Sequence, residues 1–138
     1  MRKKEPISKI MTTKLITLSY ADSLYLAEEK MKVNHIRHIP IVEEGTLVGL
    51  LSLSDLKRVS FIDAYSQEGD RDTPIYDMLN IEDLMIKNPI VVSSDTSILD
   101  VTKLMIQKEF HSLPVVDHGK LVGIVTTTDI LEFFIDYC

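Results

Sequence analysis

The chain has 138 residues, with 15 Lys and Arg against 21 Asp and Glu, a formal net charge of −6, and 45% of residues apolar. That length suits one compact domain or two small halves sharing a core, and the acidic balance excludes the basic face that general nucleic-acid binding requires. No apolar run approaches the ~20 residues of a membrane span, the charged start lacks a signal peptide's apolar core, and the single cysteine, Cys138, has no disulfide partner, so a soluble cytoplasmic protein is expected.

Past a short basic stretch, Arg2, Lys3 and Lys4, the tetrapeptide LITL at 15–18 predicts a strand. Asp22 or Ser23 then opens a helix to about Val33, with Leu24, Ala27 and Met31 on one face. HIPIV at 38–42 and LVGLLS at 47–52 read as strands joined by the tight connection EEGT, where Gly45 supplies a permissive backbone. A second helix starts near Ser54 and carries Leu56 and Val59. The stretch QEGDRDTP, with Gly69 and Pro74, reads as a loop within the connection to the next copy. The same order then recurs: PIVV at 89–92, a helix with Ile98, Val101 and Met105 on one face, LPVV, DHGK and LVGIVT. A last helix begins near Thr128 and carries Ile130, Leu131 and Phe134.

The recurrence is a gapless repeat. At an offset of 74, Ile7–Leu56 aligns with Ile81–Ile130. Identical pairs include Ile7 and Ile81, Met11 and Met85, Met31 and Met105, Pro40 and Pro114, Gly49 and Gly123, and Asp55 and Asp129. The fold class is therefore α+β (α/β), with a β-α-β-β-α unit at 7–60, a linker at 61–80 and a second unit at 81–136. A unit of about fifty residues buries only ~60% of its unfolded surface. The two sheets are expected to pack on each other as a pseudo-twofold module, with a crevice between them for a ligand.

IMTTKLITL followed by AEEKMKVNHIRHIPIVEEGTLVGLLSLSD, and LMIKNPIVV followed by VTKLMIQKEFHSLPVVDHGKLVGIVTTTD, resemble a tandem pair of CBS domains, also called a Bateman module. The resemblance covers both repeats and implies paired clefts for an adenosyl ligand: AMP, ADP, ATP or S-adenosylmethionine. It also implies a non-enzymatic regulatory role, a homodimer of modules and a regulated protein of unknown identity. Ser52 with Asp55, and Thr126 with Asp129, match the family's glycine–hydroxyl–aspartate signature after Gly49 and Gly123. A carboxylate there can accept hydrogen bonds from both ribose hydroxyls; the alternative is a helix capping box with Asp in place of Glu. The resemblance makes Arg37, His38 and His111 phosphate candidates, with Lys14 beside them, and Ser112 stands where the first copy has His38. Ile16, Thr17, Ile90 and Val91, with Ile39 and Leu113, are the base-pocket candidates, although such residues also suit a core. A ligand-free dimeric interaction scaffold is the alternative role.

Other chemistry lacks its motifs. Neither GxGxxG nor GxxxxGK[ST] occurs. His35 and His38 lie three apart with no HExxH or CxxC, so no metal site is expected. The paired methionines read as core.

Overall fold

The structure, a computed structural model, describes residues 2–65 and 75–137. The loop expected at QEGDRDTP and the terminal Cys138 lie outside the described residues. Two compact units form, one from residues 16–88 and one from residues 1–15 with 89–138.

In the unit 16–88, Ser23 caps helix α1 (Leu24–Asn34) by accepting the Leu26 N–H at 3.0 Å. Leu24, Ala27 and Met31, at helical spacing, form its buried face. His35 ends the helix in the left-handed conformation, φ 54°. Strands β1 (His38–Glu43) and β2 (Thr46–Ser52) form an antiparallel hairpin. Its two-residue loop has both φ values positive, Glu44 at 49° and Gly45 at 82°. That twist matches the right-handed twist of the flanking strands. Helix α2 (Leu53–Tyr65) follows without a break, so the expected linker begins inside a helix. The short helices α3 (Ile75–Met78) and α4 (Ile81–Leu84) lead to β3 (Ile86–Lys87), which pairs with β2. Leu18, Leu24, Met31, Ile39, Ile41, Leu51, Leu56, Ile81 and Met85 are among its buried core.

The unit of residues 1–15 and 89–138 repeats this plan. Ser97 caps α5 (Ile98–Lys108), β4 (Ser112–Asp117) and β5 (Lys120–Thr126) form the hairpin around His118 and Gly119, and α6 (Thr127–Tyr137) follows. A single turn at Ile7–Lys9 and an antiparallel bridge from Thr12 to Ile124 take the places of α4 and β3. Its buried core joins Ile7 to Ile98, Val101, Met105, Leu113, Val115, Val125, Ile130 and Phe133. Each hairpin is thus completed by the segment that heads the other sequence repeat.

The strands expected at LITL and PIVV shrink to single parallel bridges, Leu18 to Ile41 and Val92 to Val115. Leu18 donates to the Pro40 carbonyl and accepts from Val42. In a parallel ladder the next rung toward the N-terminus needs the N–H of residue 40, and proline has none. On the other side a carboxylate captures the donor: Tyr20 N–H goes to Glu43 Oε1 at 2.6 Å, and Ser94 N–H to Asp117 Oδ1 at 2.9 Å. Pro114 repeats the first effect in the second unit. The Ser94 hydroxyl also donates to Asp117, and these bonds hold the Asp117 carboxyl below its ordinary value of 3.8.

The motif glycines answer to packing. A Cβ on Gly49 would collide with Met85 Sδ and stand 3.0 Å from the Ile86 carbonyl oxygen. On Gly123 it would meet Met11 Sδ at 2.6 Å and the Thr12 oxygen at 3.1 Å. Bare backbone is what lets the docked segment lie against the hairpin. No described helix is long and apolar enough to cross a membrane.

Candidate functional site

In the unit 16–88, Ser52 ends β2 immediately before α2. Its hydroxyl accepts the Asp55 N–H at 3.1 Å, and Asp55 Oδ2 accepts the Ser52 N–H at 3.3 Å and the Ser52 hydroxyl at 2.8 Å. This is a capping box, satisfying two donors that a helix start leaves orphaned. The remaining oxygen, Oδ1, pairs with the Arg58 guanidinium one turn on. Asp55 is mostly covered, while Arg58 is exposed.

The second unit builds the same box with different company. Asp129 Oδ2 accepts the Thr126 N–H at 2.9 Å, and Asp129 N–H donates to Thr126 Oγ1 at 3.3 Å. Here Oδ1 accepts the Thr12 hydroxyl at 3.3 Å. Glu132 stands where the first copy has Arg58, so this carboxylate receives a neutral donor in place of a cation. Ser112, opposite Thr126 across the hairpin, has a buried Oγ with no hydrogen-bond partner among the described residues. Cross-strand neighbours share a face, so an unsatisfied hydroxyl sits beside the box.

The remaining candidates divide between the units. Ile16 and Thr17 are half-buried in the first, and the Thr17 carbonyl accepts Lys30 Nζ at 3.0 Å. Ile39 is wholly buried there, and Leu113 is its counterpart in the second core. Ile90 and Val91 remain 44% and 40% exposed, unlike a core pair. Arg37 is exposed at the entry to β1, and His38 is half-buried as its first residue. His111 and Lys14 are exposed in the second unit.

Motif matching passed over a cleft of about 370 Å³ in the unit 16–88, lined by Met31, Lys32, His35, Ile36, Arg37, Leu53 and Lys57. Of its four basic residues only Arg37 was singled out as a phosphate candidate. Arg58 and Thr12, the second partners of the two aspartates, were also missed. The available signal was divergence between the copies at the 74-residue offset. Among the described residues no group of three or more His, Cys, Asp or Glu side chains forms a metal-ligand set.

A family model described as CBS domain matches residues 7–61 and 81–136. The CBS domain-containing protein YhcV of Bacillus subtilis is 32% identical over 124 residues, spanning 90% of this chain and 81% of that protein. The crystal structure of CBSX2 in complex with AMP superposes with a TM-score of 0.79 at 26% identity, covering 96% of this chain and 97% of that one. The CBS domain pair of MJ0100 in complex with 5′-methylthioadenosine and S-adenosyl-L-methionine gives 0.79 at 28% identity, covering 96% and 98%.

Proposed function

The chain belongs to the CBS domain family and carries two copies of the domain, and on that premise we propose that it is a non-enzymatic regulatory module that binds an adenine nucleotide or a related adenosyl compound. The observation that carries the proposal is that two CBS pairs sharing this fold over nearly their whole length hold AMP, or 5′-methylthioadenosine and S-adenosylmethionine. The residues present fit such a ligand. Asp55 and Asp129 offer carboxylate oxygens to ribose hydroxyls, and Ser52 and Thr126 hold those carboxylates in place at the helix starts. Arg37, His38, His111 and Lys14 supply positive charge or donors for phosphates. Ile16, Thr17, Ile90 and Val91 offer an apolar edge to the base, with Ile39 and Leu113 behind. The two exposed apolar residues, Ile90 and Val91, gain a purpose as contacts for a flat ring.

Ligand binding acts on a partner by stabilising one arrangement of the module at the expense of others. We assign the protein a homodimeric state, supported by the apolar residues Leu131, Phe134 and Ile135 that α6 leaves exposed. The ligand-free scaffold is favoured by one specific observation, that both aspartates already serve as helix caps, each through its Oδ2.

A thermal-shift and calorimetric titration separates the two. A ligand of AMP's size at ~0.3 kcal/mol per heavy atom binds with about −7 kcal/mol, a Kd of about 10 µM. At about 1 mM it adds about 2.7 kcal/mol of stability and raises Tm by roughly 10 °C. Asp55→Ala and Asp129→Ala weaken binding at least tenfold if the aspartates hold ribose. Lower stability with unchanged affinity, or no binding of AMP, ADP, ATP or S-adenosylmethionine below millimolar, sinks the sensor and leaves the scaffold.

A further inference from the structure

We infer that the cleft at the end of α1 is a phosphate-binding site in its own right, shaped for a group bearing two or more linked phosphates. Lys32 reaches it from the last turn of α1, His35 from the helix cap, Arg37 from the entry to β1 and Lys57 from α2. Four basic side chains thus converge from three elements on one hollow in a chain whose net charge is −6. Among the described residues no acidic side chain lines the cleft and none of the four forms an ion pair. Two lysines and an arginine among them place cationic groups where a diphosphate would bring its negative charge. The Arg37 fork suits two phosphate oxygens at once, while each ammonium adds a point charge.

Helix electrostatics account for only part of the cluster. Lys32 lies near the carbonyl end of α1, where a cation is favourable. Lys57 lies toward the amide end of α2, where a cation gains nothing from the dipole. The second repeat supplies an internal control. At the positions of Lys32, His35, Arg37 and Lys57 it carries Ile106, Glu109, His111 and Leu131. The same local fold forms there: a left-handed Glu109 cap, and Thr127 N–H bonded to the His111 carbonyl as Leu53 N–H is to Arg37. The backbone therefore does not require the cations. Arg37 is shared with the phosphate residues proposed above, whereas Lys32, His35 and Lys57 are not among them, so the cleft goes beyond that reading, and pyrophosphate, which has no base or ribose, tests it separately.

The test is a titration of the full-length chain with pyrophosphate, ATP and adenosine, followed by backbone-amide NMR and calorimetry. Pyrophosphate and ATP are expected to shift the amides of residues 35–37 and 53–57 saturably below millimolar concentration. The paired change Lys32→Ile with Lys57→Leu installs what the sister repeat tolerates at the same sites. It is expected to weaken pyrophosphate at least tenfold, as is Lys32→Gln with Lys57→Gln should the apolar pair impair folding. ATP binding more tightly than pyrophosphate identifies the source as a nucleotide's tail; equal affinity identifies free diphosphate. Adenosine, lacking phosphate, tests the ribose and base residues separately. Pyrophosphate bound while adenosine and ATP gain nothing from the base supports the cleft without the sensor. No saturable shift with either phosphate compound, or shifts unchanged in a folded double variant, overturns the cleft.

Discussion

Ile7→Ala probes the exchange of segments directly. Ile7 is 0% exposed and packs in one core with Ile98, Val101, Leu113 and Val125, although it heads the sequence repeat that contains β1 and β2. Truncation removes three buried carbons, about 2.4 kcal/mol at ~0.8 kcal/mol each. The unfilled space raises the cost to about 2–5 kcal/mol. Residue-resolved amide hydrogen exchange on the intact chain reads such losses locally. The amides of β4 and β5 should exchange faster by about 3 kcal/mol, more than a hundredfold, with a smaller change in β1 and β2. Ile81→Ala should invert the pattern, because Ile81, also 0% exposed, belongs to the core around Leu24, Ile39 and Leu51. Greater loosening of β1 and β2 than of β4 and β5 in Ile7→Ala would refute the assignment of residues 1–15 to the second hairpin.

Gly49→Ala should cost about 1–3 kcal/mol by overpacking and lower Tm by several degrees, since the new Cβ collides with Met85 and presses on the Ile86 carbonyl. Met85→Ala in the same chain should recover part of that loss; strictly additive melts for the two changes would contradict the steric account. Asp117 predicts an acid-sensitive contribution. Its folded carboxyl titrates below the ordinary value of 3.8 because Ser94 donates to it, so the stability it adds is present above 3.8 and drains away as pH falls through the lowered folded value. Ser94→Ala should flatten that acid arm in melts taken between about pH 5 and pH 2.5, and an identical slope in both proteins would count against the bond.

Local chemistry was legible in the sequence wherever a few neighbouring residues settle the backbone. The helix start at Asp22 or Ser23, capped by Ser23, and the tight turn at Gly45 both stand within four residues of what they control. Ser52 with Asp55 likewise forms the box its spacing allows, and what else that carboxylate holds is a question of ligand. The exchange was not legible, because Ile7 and Ile81 are the same residue in the same context and either suits either core. Strand pattern alone overestimated LITL and PIVV, since the missing donors belong to Pro40 and Pro114, more than twenty residues away. The basic cleft gathers Lys32 and Lys57 from separate helices, and only comparison of the two copies marks them as unusual.

The docking of Thr12 beside Ile124 also sets a timetable for synthesis. A growing chain can complete the unit 16–88 as soon as Asn88 has left the ribosome. Thr12, made before it, must wait for β5, more than a hundred residues later, which is roughly ten seconds at ordinary elongation rates. Throughout that interval Ile7 and Met11 remain uncovered, with Arg2, Lys3 and Lys4 beside them as charged gatekeepers against premature association. Ile7 and Met11 are therefore made before the unit 16–88 yet buried after it, and the nascent chain carries an unfilled place until β4 and β5 arrive.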